Sequence, residues 1–223
     1  MAKLKKQILD EIDLELLSML YYLGKATATD LEKEAKVTGA IDLTKAGISK
    51  RLKWLTEKGY LAKPIDDIST GKLKRIYKAP SKEKLKSAHL EWYKAEIYNP
   101  MIDEFLTEEQ AEQARKEEPP EKAFKDDRIT TLSLKSAEEL KKLRKGVSLK
   151  EAVKILEGYS ELFSYEMAGL VTVENGIVKL TDEGYKAILK EWIPEIREKL
   201  KELKEFDIAE YKKLLSEFCK DLS

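Results

Sequence analysis

Apolar side chains at Ile8, Ile12, Leu16, Leu17, Leu20 and Leu23 recur every three or four residues and predict an amphipathic helix ended by Gly24. Thr29 and Glu32 have the spacing of a capping box, which opens a second helix running to about Lys36. Val37 to Leu43 reads as a connection of about seven residues, and Thr44 as the N-cap of a third helix that extends to Lys58 and stops at Gly59. Tyr60 to Lys63 has strand character, Pro64 to Lys72 loop chemistry, and Leu73 to Lys78 alternates well enough to pair with the first strand. Pro80 closes this module.

Ser81 to Phe105 reads as helical with a break at Asn99-Pro100. Residues 107–128 are Glu-rich around Pro119-Pro120, hold few apolar side chains, and are expected to form an exposed linker or a solvated helix at a domain boundary. Helical periodicity returns from Ala137, with Ser148 as a further N-cap and a shorter helix from Glu161 to Ala168. Asn175-Gly176 between two β-branched runs is a strong hairpin signal, because both turn positions need positive φ. Thr181 to Gly184 opens a long helix. Beyond it Leu189, Ile193, Ile196, Leu200 and Leu203 keep the 4-3-4-3 spacing of a coiled-coil seam, interrupted by Pro194. The second half thus repeats the plan of the first. The expected class is mainly α with small β-hairpins (α+β), divided as 1–80, a connector at 81–128, and 129–223.

Charge changes this picture more than composition does. The 223 residues carry 42 Lys+Arg against 42 Asp+Glu, with three Gln, two Asn and one Cys, a balance that suggests a thermophilic source. The neutral total hides an asymmetry. Residues 1–43 hold 6 basic and 8 acidic side chains, whereas 44–80 hold 10 and 3. The excess sits on the third helix and the hairpin behind it, a local field suited to a polyanion. On a helical wheel Ile48, Leu52 and Leu55 share one side of that helix. Ala46, Lys50, Lys53 and Glu57 lie opposite, with Ser49 and Trp54 on the flanks. Small and basic residues on an outward face are what insertion into a DNA groove needs.

The run Ile48-Ser-Lys-Arg-Leu-Lys-Trp-Leu55, followed by Gly59-Tyr-Leu61, resembles the recognition helix and first wing strand of ArsR- and MarR-type winged helix-turn-helix regulators. Gly71 with Tyr77 is similar to the ArsR-type wing ending. The resemblance covers roughly residues 8–80. It implies a double-stranded DNA-binding transcriptional regulator, with groove contacts at Lys45, Ser49, Lys50 and Lys53 and backbone contacts from the wing at Lys72, Lys74 and Arg75. The connection between the second and third helices is longer than the usual turn of that family. Leu180-Thr-Asp-Glu-Gly184 resembles the exit from the wing in MarR- and PadR-like proteins, which implies a second, degenerate winged helix at about 148–190. Its 5 basic and 7 acidic side chains would repel phosphate, so protein contact and a homodimer through the 189–203 stripe are expected instead.

Other chemistry is poorly represented. His89 and Cys219 stand far apart, so neither metal nor cofactor is expected; His89 reads as a packing or interface residue. No phosphate loop, nucleophile–base pairing or His-Glu-x-x-His motif is present, which argues against an enzyme. Without a long apolar run or signal-like start, the chain is expected in the cytoplasm. Two alternatives remain open: a tandem winged-helix scaffold for proteins of the chromosome-segregation or basal-transcription type, and a small-molecule sensor whose pocket lies between the halves, lined by Trp92, Tyr93 or Tyr98.

Overall fold

The computed structural model describes residues 9–189, apart from 70, 72, 118–119 and 131–133, together with residue 212. The described part is mainly helical, with two small antiparallel sheets of three strands each. The first half runs α1 (Glu11–Leu23), β1 (Lys25–Ala26), α2 (Ala28–Thr38), α3 (Lys45–Glu57), β2 (Ile65–Asp67) and β3 (Lys74–Lys78). A middle section holds α4 (Lys82–Tyr93), a π-helical turn (Lys94–Tyr98), α5 (Asn99–Phe105), α6 (Glu108–Glu117) and α7 (Pro120–Thr130). The second half repeats the order of the first: α8 (Leu134–Lys142), β4 (Val147–Ser148), α9 (Leu149–Ile155), α10 (Tyr159–Ala168), β5 (Val171–Glu174) and β6 (Ile177–Leu180). The sheets match as well, β1-β3-β2 in one and β4-β6-β5 in the other.

α1 is the centre of the molecule. Asp10 caps its start reciprocally with Asp13, and Gly24 ends it at φ +75°. Every residue from Asp13 to Leu20 is buried, so neighbours close round the helix on all sides. α2 and α3 cover one flank, α4 and α10 the others. Its three buried polar side chains are each partnered: Asp13 by Arg51, Glu15 by backbone N–H groups of α10, and Ser18 by His89. One continuous core follows, from Leu31, Ile48 and Leu52 in the first half to Val153, Leu162 and Phe163 in the second.

The third helix opens and stops where its sequence dictates. Thr44 accepts the Gly47 N–H, and the N–H groups of Gly59 and Tyr60 donate to the carbonyls of Thr56 and Leu55. That pair of bonds is a Schellman stop. It also explains why Tyr60 to Lys63 is not a strand. Tyr60 packs beside Trp54 and Leu61 is buried, so their apolar character seals the helix end, and the strand begins at Ile65. The capping box of α2 is formed by Thr27 and Asp30, two residues before the expected pair, and α2 continues to Thr38.

Asn99-Pro100 does not break the helical run. The π turn absorbs the irregularity, and Pro100 sits in the first turn of α5, where it has no intrahelical bond to lose. Residues 108–117 and 120–130 form α6 and α7. Ala111, Ala123 and Phe124 are buried with Tyr93, Tyr98 and Ile102 in a second small core, where Phe124 meets Tyr93 edge to face at 5.3 Å. In the second half Asn175 and Gly176 take φ of 52° and 75°, the hairpin turn their sequence signals. Thr181 accepts the Gly184 N–H and donates to the Gly169 carbonyl. Residues 182–189 are helical. Gly184 lets that segment approach the backbone, because a Cβ there would lie 2.2 Å from the Leu170 carbonyl oxygen.

Candidate nucleic-acid interface

α3 presents two sides because its apolar residues repeat at helical spacing. Ile48, Leu52 and Leu55 are fully buried against α1 and α2, which turns Lys50 and Lys53 outward. β3 pairs with β2 in register, Asp67 opposite Lys74 and Asp66 opposite Arg75, and so brings the hairpin alongside α3. Between the start of α2, the outward face of α3 and β3 lies an open cleft of about 820 Å³. Lys45, Ser49, Lys50, Lys53, Lys74 and Arg75 all line it. These are six of the seven residues singled out from sequence; Lys72 lies outside the described residues. Of the stripe proposed for dimerisation, only Leu189 is described, half-buried in the helical segment 182–189. Ile193, Ile196, Leu200 and Leu203 lie outside.

The cleft also holds Lys33, which the sequence reading missed. The signal was faint: Lys33 stands one turn after the true N-cap pair, on a helix whose start had been placed two residues too late. Thr27, Thr29 and Asp30 complete that wall. Among the described residues Asp30 is the one acid lining the cleft. Backbone and hydroxyl hydrogen bonds from Thr27 hold its carboxyl below the ordinary value, so it stays charged.

Two surface pairs sit at the rim, Lys53 with Glu57 and Arg75 with Asp66, each at 3.7 Å and well exposed. Such pairs contribute little, about 0–1 kcal/mol, and both cations can turn to another anion. Arg51 differs. Its Nη1 lies 2.8 Å from both Asp10 oxygens and 2.8 Å from Asp13, which turns it away from the cleft and ties α3 to α1. Burial pushes the Asp13 carboxyl up despite that bond. At Asp10 burial acts the same way, but the bonds from Arg51 and the Asp13 backbone outweigh it and the carboxyl falls below its ordinary value. The first turn of α3 is partly occupied, since the Lys45 N–H donates to Glu32 at 3.2 Å. An incoming phosphate would meet lysine side chains before that helix end.

The corresponding helix of the second half, α10, is buried. Leu162, Phe163 and Tyr165 pack inward, Phe163 meets Tyr21 edge to face at 5.4 Å, and Glu166 accepts from the Tyr22 hydroxyl and pairs with Lys82. His89 is a packing residue as expected, 3.2 Å from Ser18 with its ring beside Phe163. Of the three aromatic residues named for a sensor pocket, Trp92 lines a cleft that both halves border and also packs against the core of the other two. The two tyrosines are buried in that second core, and Glu15 and His89 border the cleft with Trp92. Among the described residues no group of His, Cys, Asp or Glu side chains is arranged to hold a metal ion, and no helix is long and apolar enough to cross a membrane. Comparison with family models, curated proteins and solved structures gives no match to this chain.

Proposed function

We propose that residues 9–80 form a winged helix-turn-helix that binds double-stranded DNA, and that the protein is a cytoplasmic, sequence-specific transcriptional regulator. α3 enters the major groove, where Ser49, Lys50 and Lys53 reach base edges. The β2–β3 wing lies along the backbone through Lys74 and Arg75. The order helix, strand, helix, helix, strand, strand supports this reading. The observation that carries it is the convergence of Lys33, Lys45, Lys50, Lys53, Lys74 and Arg75 on one cleft from three elements. A merely solvated surface has no reason to gather its cations in this way. The second half carries no comparable face on α10, so each chain reads one site. Two half-sites require two chains, joined in this proposal through the 189–203 stripe.

Six cations that each displace a counterion give a log–log salt slope of roughly −5. The test is duplex binding measured between low and moderate salt. Affinity that does not fall with salt, or that survives Lys50→Glu with Lys53→Glu, removes the proposal.

A further inference from the structure

α10 begins without a side-chain cap of its own. Gly158 precedes it, and the first N–H groups of any helix lack intrahelical partners. Here Glu15, from the middle of α1, supplies them. Its Oε1 accepts the Tyr159 N–H and its Oε2 the Ser160 N–H, both at 2.7 Å, across 144 and 145 residues of sequence. The position of Gly158 is fitted to this, because a Cβ there would stand 3.0 Å from Glu15 Oε2. The carboxylate is 6% exposed.

Among the described residues that border its cleft there is no lysine or arginine. On its own helix Glu11 borders the same cleft, and from α10 Glu161 does so. The turn before α10 contributes Glu157, whose charge is taken by Lys135 at 3.0 Å. α4 contributes His89 and Trp92, and the connection before α3 only Ala40 and Ile41. The Tyr159 hydroxyl points away to Glu34, which is paired with Lys150 of α9. A buried anion among further anions, held by two dipolar N–H groups, is close to balance between its charged and neutral forms.

We propose that Glu15 is a proton-operated latch between the two halves. The neutral carboxyl keeps α10 seated on α1, ionisation loosens it, and DNA affinity follows because α1 also holds α3 through Asp13 and Arg51. The last clause rests on the DNA-binding reading; the latch itself does not. Burial is the main cause that pushes this carboxyl up to about 7; the Ser160 and Tyr159 N–H groups oppose the shift and Glu161 adds to it. A folded value above the unfolded one means that docking is favoured at low pH and lost as pH rises through neutrality.

The Tyr159 and Ser160 amides report the latch directly, since Glu15 is their acceptor. Amide hydrogen exchange, corrected for the intrinsic base-catalysed rate, should show their protection falling about tenfold between pH 6 and 8. Glu15→Gln should abolish that dependence, and His89→Gln should leave it. Flat corrected protection in the native chain, or a dependence that persists in Glu15→Gln, overturns the latch. So does a dependence lost only in His89→Gln. Should Glu15→Gln fail to fold, Glu161→Gln keeps the latch and removes a repelling charge, so Glu15 ionises more readily and the transition must move to lower pH; an unmoved midpoint or an upward shift overturns the proposal. Duplex affinity should weaken over the same interval in the native chain alone. Affinity that ignores a working latch overturns the coupling, and absence of duplex binding at every pH removes the DNA reading while the latch stands.

Discussion

Arg51→Met tests whether α3 is held from behind. The substitution keeps the stem and removes the guanidinium that both Asp10 and Asp13 accept at 2.8 Å. Asp10 is about half exposed and will be rehydrated, whereas the Asp13 side chain is 5% exposed and will not. Breaking a fully buried pair costs about 3–5 kcal/mol, and a charge-assisted hydrogen bond about 1.5–3 kcal/mol. With one partner buried and one wet, a loss of about 2–3 kcal/mol is expected. In a chain of this size that corresponds to a fall in Tm of roughly 5–10 °C. Asp13→Asn in the same background removes the stranded charge and should recover most of the loss, since a neutral replacement of a buried pair is often nearly neutral. Thermal or urea unfolding of the single and double variants at pH 7 measures both numbers. A single variant within ~0.5 kcal/mol of the native chain, the scatter of ordinary surface substitutions, would refute the reasoning. So would a double variant no better than the single.

Three further outcomes are expected. Thr27→Ala should destabilise the protein by about 1 kcal/mol, while Thr29→Ala should change stability far less, which urea midpoints will separate. Gly184→Ala places a methyl against the Leu170 carbonyl and should cost about 1–3 kcal/mol or more, read from the same midpoints; a neutral result would mean that the helix can shift freely from β5. Lys50→Glu with Lys53→Glu should weaken duplex binding and flatten the salt slope by about 2, whereas Lys63→Glu, which lies outside the cleft, should leave the slope alone.

The elements that chain periodicity alone determines were legible. α1 and α3 carry apolar residues at helical spacing, and the Asn175-Gly176 turn has local chemistry with few alternatives. Because the core side of α3 was visible, its outward side was too, and the four α3 residues that line the cleft could be named before their neighbours were known. Tyr60-Leu61 misled because a helix stop and a strand both ask for apolar residues after glycine. The bond from Tyr60 to Leu55 decides between them, and it is a matter of backbone geometry. β1, two residues long, has no sequence pattern at all and exists because β3 lies beside it. Glu15 was illegible for a deeper reason. On a wheel it is an acidic residue in an apolar helix, and its acceptor role depends on chain that arrives far later.

That distance bears on how the protein is made. The Tyr22 hydroxyl meets Glu166 across 144 residues, and Tyr21 waits as long for Phe163. At ribosomal speeds of about 5–20 residues per second, the far side of α1 stays uncovered for on the order of ten seconds after it emerges. During synthesis the first half therefore carries a bare apolar face until α10 arrives to cover it, a natural place for a chaperone to hold the nascent protein.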